Sequence, residues 1–339
     1  MNGIQVLTDR SSIADFISNT WRPYGFDKNT GGPVDNRGQS LVNNRDLRAN
    51  AFLSREEWEV LDGAIIARAQ QRFQIVSDLQ AAGLTSNTTL AEQMSKWKVA
   101  SERVAADVSM DFETKGTEDR IEYKHYFAPL PIISAEFSVG RRELLSSRTL
   151  GADMDTVNAT EAGRAVAEML EVITIDGDSG IVVDGNQLYG LQNLSARYTT
   201  TAAGDFGTLS NVYETFRATL STMAGRRYYG PFRVYIANAQ YFEMLKHYSD
   251  GSSEMALDRV LKLPQIMSIE PNDLVDDGEF LMVQMTPDVI DLRVGLDMET
   301  RRWEAPDGSR LYYKVMMAAV PRIKTDYAGY TGVAHITSC

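Results

Sequence analysis

The sequence predicts an α+β fold, and three observations carry that reading. Residues 103–127, "RVAADVSMDFETKGTEDRIEYKHYF", alternate polar and apolar side chains in two arms around a glycine-containing turn. Residues 153–177 carry a stripe of small apolar residues at helical spacing. From residue 207 onward, helix and strand textures alternate before the chain returns to strands at its end. Period two marks half-buried strands and period 3.6 marks amphipathic helices.

Composition bounds what such a chain does. It has 339 residues, 43% apolar and 24% charged, which is ordinary for one large or two smaller globular domains. A net charge of -12 with a pI of about 4.9 argues against a dedicated nucleic-acid binder, which carries a basic face. The single cysteine, Cys339, excludes a disulfide framework within the chain and fits a reducing compartment. On this reading the terminal thiol is incidental, on a mobile tail. No apolar run reaches the length of a membrane span. The opening "MNGIQVLTDRSSIADF" lacks the basic start and long apolar core of a signal peptide. The expectation is a soluble protein made in the cytosol.

The elements follow in order. "RSSIADFISNTW" allows a short amphipathic helix through Ile13, Phe16 and Ile17. The Gly/Asn/Asp-rich stretch after it has no sustained period and little to bury, so it reads as an arm. Ser54 with Glu57 forms a capping box ahead of Trp58, Leu61, Ile65, Phe73, Val76 and Leu79, and Gly83 is placed to end that helix. Residues 84–100, with Trp97, read as irregular or helical. The two arms that follow are Val104, Ala106, Val108, Met110 and Phe112, then Ile121, Tyr123, His125 and Phe127. A hairpin of that length reaches roughly 30 Å at strand rise. Two strands alone are marginal in water, so something must cover the apolar face.

"ISAEFSVGRREL" reads as a strand leading to a short helix. The long helix after it carries Ala162, Ala165, Val166, Met169, Leu170 and Ile173 on its apolar stripe. "DGDSGIVVDGNQLYGLQN" reads as a glycine-rich loop. "GTLSNVYETFRATLSTMAGRRY" is an amphipathic helix, "FRVYIAN" a strand and "AQYFEMLKHY" a helix. "EFLMVQM" and "VIDLRVGLD" are buried strands. The last block gives a strand, a "PDGS" turn, a strand and a closing strand.

Catalytic patterns are missing from this chain. His125, His247 and His335 have no metal-type spacing to one another or to the cysteine. His125 reads as a packed strand residue and His247 as a helix-end cation. "DGDSG" at 176–180 begins like a calcium loop, but Ile181 and Gln187 stand where the glycine and glutamate belong. It reads as a polar turn. There is no phosphate-binding glycine loop, no nucleophile elbow and no zinc-protease motif. Asp273, Asp276, Asp277 and Glu279 read as a solvated loop. The pairs Arg141–Arg142, Arg226–Arg227 and Arg301–Arg302 read as exposed cations. The chain is expected to be no enzyme, with no catalytic, metal or cofactor residues.

The ordered set of elements resembles the coat-protein fold of tailed phages, the Hong Kong 97 type. "FLSREEWEVLDGAIIARAQQRF" is similar to the N-terminal helix of encapsulins, cellular shell proteins of this fold. "LPIISAEFSVGRREL" and "DMDTVNATEAGRAVAEMLEVITIDG" resemble the strand leading to the family's spine helix and that helix. "NQLYGLQN" resembles the turn into the A-domain, and "GPFRVYIANAQYFEMLKHY" its strand and helix. "AAVPRIKTDYAGYTGVAHI" resembles the closing P-domain strand. The resemblance covers about residues 52–337.

The resemblance implies an arm at 1–52, a helix at 53–84 and an E-loop region at 85–128. It places a first P-domain part with the spine helix at 129–185, an A-domain at 186–297 and closing P-domain strands at 298–339. It implies a major capsid protein that self-assembles, as hexamers and pentamers, into an icosahedral shell around a phage double-stranded DNA genome. The implied location is the virion, after assembly in the host bacterial cytoplasm. Implied partners are other copies, portal, separate scaffolding and decoration proteins, and DNA only non-specifically, with no membrane. The alternative is an encapsulin-type compartment shell that packages a cargo enzyme; the arm before Trp58 and the greater length favour the phage reading. On the resemblance, a neighbouring subunit covers the hairpin, which makes Val104, Val108, Met110, Phe112, Lys115, Ile121 and Tyr123 the candidate inter-subunit contacts. On the resemblance, Lys115 at the hairpin tip could form an isopeptide bond, as some family members do; an exposed turn lysine is its default reading.

Overall fold

A computed structural model describes residues 65–66, 74–102, 110, 120–142, 157–247 and 254–339, all within the unit Leu61–Cys339. The arm, most of the 53–84 helix, and Val104, Val108, Phe112 and Lys115 lie outside the described residues.

Two long strands organise the first sheet. Its order is β1 (Thr85–Asn87), β11 (Ile290–Glu304), β12 (Arg310–Ile323), β4 (Ile132–Gly140). β11 and β12 form an antiparallel hairpin closed at "PDGS", where Gly308 takes φ +67°. β12 alternates in burial up to Met316 and is then buried continuously to Ile323. Pairing with β4 ends at Ala318, so Pro321 sits where β12 has a free edge and its missing N–H costs nothing. Residues 84–100 hold strands, not helix: the short alternating "SKWKVA" is a strand pattern that its lysines disguise.

Helix α2 (Val157–Ile175) packs on β4 and β12. Ala162, Val166, Leu170 and Ile173 are buried as expected. Ala165 and Met169 are not; both lie on the exposed flank. The buried arc is shifted toward Ala159, Gly163 and Ala167 because a second cover lies on that side. A β-carbon on Gly163 would come within 2.8 Å of Ile65 Cγ2 and 2.9 Å of its carbonyl oxygen. Helix α1 (Ile75–Ala81) ends as the sequence predicts: Gly83 takes φ +69° and Leu84 N–H returns to the Leu79 carbonyl at 2.8 Å.

The expected glycine-rich loop is a hairpin of β5 (Gly177–Val183) and β6 (Asn186–Tyr189). Asp184 and Gly185 turn it with φ of 48° and 77°, the two positive values a tight hairpin turn requires. Gly190 then crosses Gly177 backbone to backbone: a β-carbon there would sit 2.3 Å from the Gly177 nitrogen. That approach lets Leu191 and Gln192 donate N–H bonds to the Thr174 and Ile175 carbonyls, closing the end of α2. The "YGLQN" stretch is thus a C-terminal cap for the long helix.

The second sheet has the order β7 (Tyr198–Thr201), β13 (Val333–Thr337), β10 (Phe280–Gln284), β8 (Phe232–Ile236), β9 (Ile266–Pro271). β10 is buried along its whole length, as its unbroken "FLMVQ" predicts. Helices α3 (Leu209–Gly225), α4 (Asn238–Met244) and α5 (Ala256–Leu261) complete this half. Phe216 and Phe280 stack at 4.8 Å in its core, beside Phe206.

Two limits of the expected division cut across the strand pairing. The 297/298 limit falls inside β11, which already pairs with β12 from Ile290. The closing strand β13 joins the second sheet rather than the first, because its register is with β10 and β7. The tail is corrected. Cys339 N–H donates to the Gly278 carbonyl at 2.8 Å and its side chain packs against the aromatic core. Burial, and then the Glu279 charge, push the thiol up to about 12.

Candidate functional site

β2 (Met94–Ala100) and β3 (Tyr123–Pro129) form a two-stranded antiparallel ribbon, the root of the anticipated hairpin. Its register corrects the sequence reading. Tyr123 faces Ala100 and Phe127 faces Lys96, so the partner of the Tyr123 arm is Met94–Ala100 and not Val104–Phe112. Side chains opposed across a ladder share a face. One face therefore carries Lys96, Lys98, Ala100, Tyr123, His125 and Phe127. The other carries Ser95, Trp97, Val99, Lys124, Tyr126 and Ala128.

Burial separates the two faces. Ser95 and Ala128 are buried, and Trp97 stacks on Tyr126 at 5.9 Å, so the second face meets the subunit body. The first face, which carried the strand signal in the sequence, points away from it. Tyr123 is 54% exposed, Ile121 49% and Met110 fully exposed. His125, expected as a packed residue, is exposed as well. Lys98 lies over the Tyr123 ring at 5.0 Å and Lys96 over Phe127 at 5.7 Å. Lysine stems shield part of these rings while their ammonium groups stay in water. Of the predicted contact residues, the structure brings Ile121 and Tyr123 to one exposed ribbon end.

Two anchors hold the ribbon root. The deeper one is Arg322 of β12, whose Nε donates to Asp291 Oδ1 at 2.9 Å while Nη2 pairs with Oδ2. Its Nη1 reaches Ser95 Oγ at 3.2 Å and Nη2 reaches Ser86 Oγ at 3.4 Å. One guanidinium thus ties β11, β12, β1 and β2 together, with Lys324 adding a second cation 3.5 Å from Asp291. The outer anchor is the turn after β12. Tyr327 OH donates to Glu122 Oε2 at 2.6 Å, and Lys124 Nζ donates to the Tyr327 carbonyl at 2.9 Å. Lys124 also lies 4.0 Å from the centre of the Tyr327 ring. Between the ribbon and the second-sheet half lies a cleft of about 500 Å³, lined by Ser101, Glu102, Arg120, Arg227, Asp326 and Tyr330.

Neither Arg322 nor Tyr327 carries a local sequence signal. A lone arginine after proline and a tyrosine in a "DYAGY" turn read as surface residues; only an arginine inside an otherwise apolar strand, "AAVPRI", hints at a buried partner.

The arginine pairs are engaged within the chain. Arg226 lies between Tyr198 and Tyr330 at 4.7 and 4.6 Å, Arg227 pairs with Glu102, and Arg301 with Glu299 at 2.6 Å. In the acidic loop, Asp273 accepts from Asn238, and Glu279 lies 2.6 Å from His335 Nε2. Among the described residues no cluster of histidine, cysteine and carboxylates could hold a metal ion, and no helix is long and apolar enough to cross a membrane.

Comparison with known proteins fits this architecture. A model described as a family of unknown function, DUF6260, matches residues 48–336. The chain belongs to that family. No curated protein matches it in sequence. Among solved structures, it is similar to a virus-like particle from Pyrococcus furiosus, with 18% identity and a TM-score of 0.58 over 82% of this chain and 98% of that one. It is similar to the capsid of the Myoviridae phage XM1, with 15% identity and a TM-score of 0.61 over 77% and 91%. The capsid of a native GTA particle gives 12% identity and a TM-score of 0.53 over 76% and 89%. At these identities the likeness speaks for the fold. The chain has the Hong Kong 97-type fold.

Proposed function

We propose that the chain is the major capsid protein of a tailed phage, self-assembling through hexamers and pentamers into an icosahedral shell around double-stranded DNA. The observation that carries this reading is the ribbon. It is anchored by one face, and on the other it leaves Ile121 and Tyr123 about half exposed. The fold it projects from is shared, over nine-tenths of their length, with a virus-like particle and a phage capsid. A neighbouring copy is the occupant that a shell supplies. Each buried apolar side chain contributes about 1.5–3 kcal/mol before ordering costs. Contacts of that size, repeated at every copy, close a shell while letting misplaced subunits leave.

Non-enzymatic action, residence in the virion, assembly in the host cytoplasm, and portal, scaffolding and decoration partners all belong to the same reading. So does the division into E-loop, P-domain and A-domain, with β13 moved to the A-domain. The acidic balance, net -12, suits a wall that does not grip packed DNA.

The test is sedimentation and electron microscopy of the purified full chain. Capsomers or closed particles are expected. A strictly monomeric species across concentration and salt overturns the reading. Particles isolated from the native source that hold an enzyme in place of DNA would assign the chain to the compartment shells.

A further inference from the structure

We propose that the turn Asp326–Tyr330 is an orientation clasp: its grip on Glu122 and Lys124 sets the direction in which the ribbon leaves the subunit.

The argument is one of leverage. A ribbon held at one point can pivot; held at two separated points it has a direction. The first point is Ser95, bonded to the buried Arg322. The second is at Glu122 and Lys124, which the ladder places beside Ser101 and Val99. Ser95 and Ser101 are roughly 20 Å apart along an extended strand. The outer grip therefore acts on a long arm, where a small contact controls a large angle.

The turn that grips is itself fixed. Asp326 N–H donates to the Tyr330 carbonyl at 2.8 Å, and Tyr330 N–H donates to Asp326 Oδ1 at 2.7 Å. Gly329 supplies the φ of +89° that this closure needs. Tyr228 OH donates to the Tyr330 carbonyl at 3.0 Å, and Arg226 stacks between the Tyr330 and Tyr198 rings. The turn is thereby joined to α3's end and to β7, so the ribbon takes its direction from the second-sheet half. Arg227 beside Glu102 adds a third, exposed contact on the same side.

The inner anchor is buried and the outer one is exposed. Exposed pairs are individually weak and screened by salt. The clasp is thus the release point: it can open while Arg322 keeps the root in place. In a shell, opening would let one sequence present its ribbon at more than one angle. That consequence rests on the shell reading above; the clasp itself does not.

The test separates the two. Spin labels at Ala100→Cys on the ribbon and Thr199→Cys on the second sheet, in a Cys339→Ser background, report one distance in dissociated full-length subunits. The expected result is a single narrow peak that is lost in Tyr327→Ala, with an intermediate width in Tyr327→Phe, which keeps the ring under Lys124. The pair Glu122→Ala with Lys124→Met, which removes both the acceptor of the Tyr327 hydroxyl and the donor to its carbonyl, should reproduce the loss from the ribbon side, with subunit melting unchanged. An equally narrow peak in Tyr327→Ala and in that pair overturns the clasp. Particles are then compared by electron microscopy. Mixed diameters from Tyr327→Ala are expected, and uniform particles together with a broadened subunit distance overturn the role in assembly. Failure of the unsubstituted chain to form particles is a failure of the shell reading alone.

Discussion

The Glu171 carboxylate accepts the backbone N–H of Val76 at 3.0 Å, joining the long helix to a segment 95 positions earlier. The same carboxylate accepts Gln74 N–H at 2.6 Å and Ile75 N–H at 3.3 Å. Helix α1 has no side-chain cap of its own, so Glu171 supplies one from outside. The other flank of α1 is held by the second sheet: Asp78 accepts Tyr235 OH at 2.7 Å and pairs with Arg233 at 2.5 Å. The short helix is the joint between the two halves.

Glu171 makes stability depend on pH. Burial raises its pKa to about 7, with Asp78 adding to the rise and the three N–H bonds opposing it. A carboxyl whose folded pKa lies above its unfolded value stabilises the fold fully below the unfolded value, and that contribution is lost as pH rises through the folded one. The window is therefore about 4.5 to 7, and the shift corresponds to a contribution on the order of 3 kcal/mol. Dissociated subunits should melt at a higher temperature at pH 5 than at pH 7.5, and Glu171→Gln should flatten that slope. Glu92, held below the usual range by the Thr88 hydroxyl, acts with the opposite sign and only at lower pH. A slope unchanged in Glu171→Gln would assign the dependence to other groups.

Gly163 and Ala165 should respond oppositely to enlargement. A β-carbon at Gly163 meets Ile65 at 2.8 Å, including contact with backbone, so Gly163→Val should cost about 1–3 kcal/mol or more in the isolated subunit. Ala165 is exposed, and Ala165→Trp should leave the subunit melting temperature nearly unchanged. Thermal unfolding of both variants checks the rotation of the helix.

Arg322 and Asp291 form a buried pair, about 10% exposed on each side. Arg322→Met alone leaves the buried Asp291 carboxylate only Lys324 and the Ser86 hydroxyl and takes the guanidinium from Ser95, with an expected loss of about 3–5 kcal/mol. Asp291→Leu combined with Arg322→Met should recover much of that loss, because the pair's desolvation cost disappears with it. A double-mutant cycle by urea unfolding reads the coupling directly.

Ile121 and Tyr123 should matter to particles and not to the subunit. Both are about half exposed, so Ile121→Ser with Tyr123→Ser removes little that the isolated chain buries. Circular dichroism melting of subunits should be unchanged while sedimentation shows fewer particles. A large drop in subunit melting temperature would mean that the chain covers this face itself.

Local pattern was legible wherever one neighbour dominates. Period two marked β3, the unbroken apolar run marked β10, and Gly83 marked the end of α1. The "SKWKVA" strand escaped because its outward lysines outweigh Trp97 and Val99 in so short a stretch. The β5–β6 hairpin escaped because its glycines suggest a loop, although Asp184–Gly185 is itself a hairpin signal.

The sequence by itself determined most of the elements and their order, since backbone propensity and side-chain period are local properties. It did not determine partners or faces. Which strand β3 pairs with depends on Ser95 reaching Arg322, a contact spanning 227 positions. Which flank of α2 is buried depends on Ile65 and on the N–H groups at Gln74–Val76 that Glu171 caps. β13 lies in the second sheet because β10 and β7 offer it two ladders, and that pairing docks Cys339 against the core. Such choices are settled by burial and by polar groups that need partners, and those partners exist only once distant segments have met.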